Sequence, residues 1–334
     1  MDIQSKFDTI KQFILQFNST INLPIPTQTN NNYRNKALFH FNTTIDNTIN
    51  SYNSIYITNK IIDYSNTINT SNFKVFGIMI KENSTKQYQI KLLIYSHNYR
   101  FPLDTQTNII KFLISKFNII SIYYQITNKI KYSPNKNDPY YHIYGHKTII
   151  DKRYINNTIY QTHLSPDSFS RINLFETNNI YNKLVTLCSK NNNNNLYCIG
   201  RDVNYPSQLF NPYFKNTTII TPCHLIYNDL RYNCYQKPTK IYNSDKKSIY
   251  KYITETRNST IIIAAGRKGI DPSLINKFNQ IDNITQIIYI SCNTNSMIPD
   301  VTKLSLKYRI EKCLVTDEFP NTKYTNILIS FIPK

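Results

Sequence analysis

Apolar residues recur at three- and four-residue steps through Ile3, Phe7, Ile10, Phe13, Ile14 and Phe17. That spacing predicts an amphipathic helix, ended by Pro24 and Pro26. From about residue 33 to 155 the pattern shifts to short apolar runs. Ala37–Phe41, Phe73–Met79 and Ile90–Tyr95 have the length and residue types of strands. Ile109, Ile110, Phe112 and Leu113 predict a helix over 107–116. Tyr132–Tyr141, rich in Pro, Asn and Asp, predicts a loop.

After Ser165-Pro166, strand-like and helix-like runs alternate. The predicted strands are Leu196–Cys198, Thr217–Thr221, Thr260–Ala264, Ile284–Ser291 and Ile327–Ile332; the predicted helices are Leu174–Leu187, Leu225–Cys234, Pro272–Phe278 and Val301–Tyr308. Asn191–Asn195 reads as a loop before a shortened first strand. Alternation with continuous β-branched runs predicts a doubly wound α/β domain. The expected organisation is an N-terminal helix and linker (1–32), a β-rich region (33–155) and a Rossmann-like domain (156–334).

Composition narrows the class. The 334 residues are 40% hydrophobic and 18% charged, enough to bury a core and too apolar for wholesale disorder. No apolar run approaches the ~18 residues of a membrane span, and Met1-Asp2-Ile3-Gln4 lacks the basic-then-apolar order of a secretory signal. The net charge of +19 makes a polyanion, above all a nucleic acid, the expected partner. Asn, Ile, Tyr and Lys all have AT-rich codons, so codon composition contributes to the Lys excess. Six cysteines, Cys188, Cys198, Cys223, Cys234, Cys292 and Cys313, all lie in the second half with no C-x-x-C pair. This argues against a disulfide framework, a zinc site or an iron–sulfur cluster, and for a reducing, intracellular compartment such as the cytoplasm.

Six segments carry a more specific message. They are Tyr33-Arg34-Asn35-Lys36-Ala37; Ile143-Tyr144-Gly145 leading to Ser165-Pro166-Asp167-Ser168-Phe169 and Asn173; Leu196-Tyr197-Cys198; Arg267-Lys268-Gly269-Ile270-Asp271-Pro272; Tyr289-Ile290-Ser291-Cys292-Asn293; and Asp317-Glu318-Phe319-Pro320-Asn321-Thr322. In kind, order and separation they resemble the motifs of the S-adenosyl-L-methionine (AdoMet)-dependent RNA (uracil-5-)methyltransferases, which make 5-methyluridine in tRNA and rRNA. The resemblance implies a class I methyltransferase domain behind a β-rich RNA-binding region. It also implies a mechanism. A cysteine, here Cys292, adds to uracil C6 so that C5 becomes nucleophilic. A carboxylate then removes the C5 proton, and the target uridine must be flipped out of its stack.

Against that pattern the chain departs at the chemical positions. The glycine turn after the first strand reads Ile199-Gly200-Arg201, where a β-branched residue and an arginine would crowd the cofactor. The acid for the ribose hydroxyls aligns with Thr221. The carboxylate beside the base is replaced in Ala264-Ala265-Gly266, and a cofactor-side glutamine is Arg171. The general-base glutamate aligns with Asn326, an amide that accepts no proton at neutral pH. Cys292, Arg267 and Asn173 persist. Cys292 reads equally as a nucleophile helped by Arg267 or as a small buried residue; the other cysteines read as core.

The first expectation is therefore an RNA-binding family member with degraded AdoMet and catalytic motifs, a pseudoenzyme. Structured RNA, favouring tRNA, would be held by Tyr33, Arg34, Lys36, Arg267, Lys268 and Lys323. The alternatives are an active tRNA uridine-C5 methyltransferase with a remodelled pocket, and a scaffold subunit of a larger assembly.

Overall fold

A computed structural model describes residues 3–17, 21–22, 33–41, 50–129, 140–188, 195–233, 239–253, 258–320 and 322–334. In chain order, helix α1 (Ile3–Leu15) and a short strand β1 (Ile21–Asn22) lead to β2 (Lys36–His40), α2 (Tyr52–Ile68), β3 (Phe73–Glu82) and β4 (Tyr88–Ser96). Helix α3 (Leu103–Lys116), β5 (Ile119–Thr127) and β6 (Tyr140–Gly145) follow, then the paired strands β7 (Ile149–Ile155) and β8 (Thr158–Leu164). The remainder is α4 (Leu174–Leu187), β9 (Asn195–Gly200), α5 (Asn204–Phe210), β10 (Asn216–Thr221), α6 (His224–Asn233), β11 (Thr239–Asn243), β12 (Ser259–Gly266), α7 (Pro272–Gln280), β13 (Ile284–Ser291), α8 (Thr294–Leu304), β14 (Tyr308–Thr316) and β15 (Asn326–Pro333). The chain forms two compact units. One comprises 1–30, 153–162 and 175–334, the other 31–152 and 163–174.

The larger unit is built on an eight-stranded sheet ordered β1-β14-β15-β13-β12-β9-β10-β11, parallel except for β15. Its strands are apolar on both faces because helices cover both. Successive residues of one strand enter opposite cores. Ile287 and Tyr289 of β13 pack with Phe7, Ile10 and Ile14 of α1 and with Leu274, Phe278, Met297 and Val301 of α7 and α8. Ile288 and Ile290 pack with Ile180, Leu184, Phe210 and Leu230 of α4, α5 and α6. The N-terminal helix is thus part of this core, where sequence had set 1–32 apart. Pro24 and Pro26 lie outside the described residues. Cys188, Cys198 and Cys313 are buried as expected, and burial pushes the Cys313 thiol up to about 12. Cys223 is half-buried, and Cys234 falls outside the described residues.

The second unit holds the sheet β2-β3-β4-β5-β6. One face carries Ile78, Ile80, Ile90, Leu92, Ile94 and Ile122 and is covered by Ile57 and Ile61 of α2 and Ile109 and Leu113 of α3. Among the alternate positions of β3 and β4, Lys81, Gln89 and Lys91 are polar, and they meet the segment 164–168. Lys81 Nζ donates to Ser165 O at 2.6 Å, and Lys36 Nζ donates to Ser168 O at 2.8 Å. Lys91, 4% exposed at its side chain, donates to both Asp167 carboxylate oxygens at 2.7 and 2.8 Å. The Ser165–Phe169 segment is therefore latched by three ammonium groups. It also explains why 163–174 belongs to this unit although a contiguous division at 155 was expected from sequence. Asn35 N donates to Ile172 O at 2.8 Å, and Arg34 bridges Asn173. Removing Asp167 takes the counter-charge from the buried Lys91 ammonium, which keeps the neutral Gln125 Oε1 at 3.1 Å. Because Asp167 is one-third exposed, Asp167→Ala is expected to cost about 3 kcal/mol, the low end for such pairs. Urea denaturation would read this; a loss below about 0.5 kcal/mol, the scale of a neutral surface change, would show the latch to be dispensable.

Three elements differ from the sequence reading. Helix α2 was not anticipated; its inward stripe is Ser54, Ile57, Thr58, Ile61 and Ser65, so polar residues hide the helical period. The helix placed at Val301–Tyr308 begins instead at Thr294, capped by Asn293, and Tyr308 opens the unpredicted strand β14. In the predicted loop Tyr132–Tyr141, Tyr140 and Tyr141 belong to β6 and 132–139 lie outside the described residues. Of the Asn191–Asn195 loop, Asn195 is the first residue of β9 and the rest lies outside them.

Candidate functional site

The chain runs from β9 outward through β10 and β11, then returns to β12 on the other side of β9. Such a reversal opens a crevice at the C-terminal ends of the strands, where α/β sheets take ligands. Register brings the expected site positions to this edge. Gly200 pairs with Ala264, Gly266 with Ser291, and Ser291 with Ile327. Cys292 and Asn326 directly adjoin that last pair in the chain, and Asn326 pairs with Thr316 of β14.

The motif residues have local structural duties. Asp271 caps α7 by accepting from Ser273 N at 3.0 Å, with Pro272 in the first turn. Asn293 caps α8, and its Nδ2 donates to Arg267 O at 2.9 Å. Ser291 Oγ donates to Gly266 O at 3.2 Å. Asp300 Oδ2 accepts from Ile270 N at 2.8 Å and from Tyr289 Oη at 3.0 Å; burial holds its carboxyl above the usual range. The same oxygen would lie 2.6 Å from a Cβ at Gly269, whose φ is +72°. The Arg267–Asp271 loop is thus fastened from both sides. Cys292, half-buried, sits between the two fastening residues Ser291 and Asn293.

Beside it, the Arg267 guanidinium stacks on the Tyr324 ring at 4.4 Å from the centroid, and Lys323 Nζ lies 5.7 Å from the same ring. Tyr324 was not singled out from sequence, since a tyrosine among the chain's 28 carries no signal alone. Asn326 is 1% exposed. Arg267, Lys268 and Lys323 are exposed, as an RNA-facing role needs. In the second unit Tyr33 is buried, Arg34 is half-buried, and Lys36 serves the Ser168 latch. Those three positions therefore act first as structure, not as the open RNA contacts expected from sequence. Arg171, in the same unit, is buried as well.

At the positions that sequence aligned with the cofactor's glycine turn, Ile199 and Arg201 stand where glycines were expected, with Gly200 between them. Gly200 has φ +121°, and any Cβ there would collide with the Ala264 carbonyl. Ile199 is buried in the core and also lines the cavity at these strand ends; Arg201 is exposed. Thr221 is fully buried. Its hydroxyl accepts from Cys223 N at 3.3 Å and its carbonyl from Ser244 N at 3.1 Å, so it closes a turn and presents no acid. Between these strand ends lies a cavity of only about 30 Å³, lined among others by Gly200, Lys246, Ile249, Ile263, Ala264 and Gly269. Ile249 packs into the core on this face. Among the described residues no group of three or more His, Cys, Asp or Glu is placed to hold a metal ion, and no helix is long and apolar enough to cross a membrane.

Residues 247–330 match the family model described as tRNA (Uracil-5-)-methyltransferase. An uncharacterized RNA methyltransferase of Fusobacterium nucleatum is 27% identical over 277 residues, 80% of this chain and 56% of the relative. The tRNA/tmRNA (uracil-C(5))-methyltransferase of Mannheimia succiniciproducens is 36% identical over 66 residues, 20% of this chain and 17% of that one. The chain thus spans little more than half the length of the longer match. Pyrococcus abyssi tRNA (uracil-54, C5)-methyltransferase, solved in complex with S-adenosyl-L-homocysteine, shares the fold with a TM-score of 0.70 at 15% identity, over 99% of this chain and 84% of that one. The motifs of this chain thus stand in the order of those of the RNA (uracil-5-)methyltransferases, its C-terminal part matches that family's model, and its fold is that of the Pyrococcus abyssi enzyme.

Proposed function

We propose that this chain is an RNA-binding member of the RNA (uracil-5-)methyltransferase family in which AdoMet-dependent methyl transfer is impaired. The observation that carries this reading is the pair Cys292 and Asn326. The β13–β15 ladder ends at Ser291 and Ile327, the chain neighbours of Cys292 and Asn326; on this reading the nucleophile position is filled while the proton-acceptor position holds a buried amide. The cofactor positions support it. Thr221 offers no carboxylate and Ala264 replaces the acid beside the base, so the residues present do not fit AdoMet as the family pattern would hold it. What the fold retains is the positive charge of +19 and exposed Arg267, Lys268 and Lys323 around Tyr324, suited to phosphates and stacked bases of a folded RNA such as a tRNA.

Isothermal titration of AdoMet into the protein at physiological salt tests the cofactor half of this reading. No saturable heat is expected in the micromolar range. A clear micromolar Kd would restore the second reading, an active tRNA uridine-C5 methyltransferase with a remodelled pocket, which the half-exposed Cys292 favours.

A further inference from the structure

Three long cations stand around the cavity at the C-terminal ends of β9 and β12. Lys246, just beyond β11, lines the small cavity together with Gly200 and Gly269. Arg201 directly follows Gly200 at the tip of β9, and Lys268 directly precedes Gly269. Both glycines have positive φ, +121° and +72°, which turns the backbone sharply and leaves the two neighbouring side chains exposed. Among the described residues, no carboxylate comes within ion-pair distance of any of the three. The Lys246 ammonium is held below its usual range by burial first, and then by the like charges of Arg201 and Lys268. Asp271 and Asp300 oppose this only in part. Asp271 is engaged by Ser273 as a helix cap, and Asp300 by Ile270 N and Tyr289 Oη.

Repulsion among three cations is relieved by an anion seated between them. AdoMet is a net cation at neutral pH, so the rim disfavours it. A phosphate group has the opposite charge and the acceptor oxygens for Arg and Lys donors. We propose that Arg201, Lys246 and Lys268 bind a backbone phosphate of RNA at the C-terminal edge of β9 and β12, so that the former cofactor crevice has become part of the RNA-binding surface. This rests on the RNA-binding reading above and gives it a definite site.

The test uses the full chain and a labelled in vitro tRNA transcript, with affinity measured by anisotropy across a salt series. Replacing all three cations, R201Q/K246Q/K268Q, is expected to weaken binding at least about tenfold and to flatten the slope of log K against log[salt] by about 0.7–0.9, the share of one neutralised phosphate. The control K215Q/K277Q/K303Q removes equal charge at the opposite edge of the sheet, before β10 and in the last turns of α7 and α8. It should change affinity less than about threefold, as electrostatics without a specific contact would. K246Q alone serves as a second variant in case the triple melts early. If the rim and control triples bind equally, this site is refuted while RNA binding stands. If the unaltered protein binds tRNA no better than a generic acidic polymer of equal length, the RNA-binding reading itself fails, and the site with it. Titration of ATP supplies the remaining arm. ATP binding that the rim triple abolishes, with tRNA affinity unchanged, would assign the rim to a free nucleotide and overturn the RNA assignment.

Discussion

In an assay of methyl transfer from AdoMet to tRNA uridine, this protein is expected to turn over about 10²–10⁴-fold or more below a relative that carries a carboxylate at the position of Asn326, the usual contribution of a positioned general base. The reason lies in one proton. After C5 takes the methyl group, its hydrogen must leave before the C5–C6 double bond can re-form and expel the cysteine. An amide oxygen is too weak a base to take it, and Ala264-Ala265-Gly266 places no second carboxylate at the end of β12. The deficit should fall on kcat more than on KM for tRNA, because the lost groups act on the reacting atoms and not on RNA binding. Asn326→Glu alone is not expected to rescue. Position 326 is 1% exposed, so a new carboxylate there would have to be desolvated, and the positions of Thr221 and Ala264 would still lack their acids. Turnover within about tenfold of such a relative, a difference of only about 1.4 kcal/mol in barrier, would sink the impaired-enzyme reading.

The parallel sheet was legible from sequence because its strands are continuous β-branched runs. Buried on both faces, they needed no alternation to be recognised, and Thr260–Ala264 and Ile284–Ser291 were placed within two residues of β12 and β13. The short motifs were legible for a related reason. Each turns out to be a fastening: Asp271-Pro272 a helix start, Ser291 and Asn293 clamps on the neighbouring loop, Ser165–Ser168 a latched turn. Their residue types are dictated by local hydrogen bonds. Helix α2 escaped because Ser54, Thr58 and Ser65 occupy inward positions that apolar periodicity requires to be apolar. Thr58 Oγ1 returns its hydrogen bond to Ser54 O within the helix, so the polar group is satisfied where it is buried. Lys36 and Lys81 could not be told from RNA-facing lysines, since their partners are carbonyls 132 and 84 residues away. The cationic rim was equally hidden, because Arg201, Lys246 and Lys268 come from three separate loops that only the crossover at β9 and β12 brings to one edge.

Incubation with RNA containing 5-fluorouridine, followed by a denaturing gel, is expected to give a shifted protein–RNA band that disappears in Cys292→Ser. Addition at C6 asks for less than methyl transfer does. The Cys292 sulfur forms a bond to C6, the C5–C6 π pair moves toward the C4 carbonyl oxygen, and no proton need leave carbon. Position 292 favours this chemistry on three counts. It is half-exposed, unlike Cys188, Cys198 and Cys313. It lies just before the N-terminus of α8, whose peptide dipoles favour negative charge at that end. The Arg267 loop beside it, tied to Asn293 at 2.9 Å, carries a guanidinium that can meet a flipped base or its flanking phosphate. Fluorine at C5 withdraws electrons and makes C6 the better electrophile. A free cysteine of similar exposure, Cys223, supplies the internal comparison, since Cys223→Ser should leave the band unchanged. Tight RNA binding with no band in either the native protein or Cys223→Ser would mark Cys292 as a structural relic held by its neighbours Ser291 and Asn293. A band that persists in Cys292→Ser would place the nucleophile elsewhere and remove the assignment of Cys292 on which the impaired-enzyme reading depends.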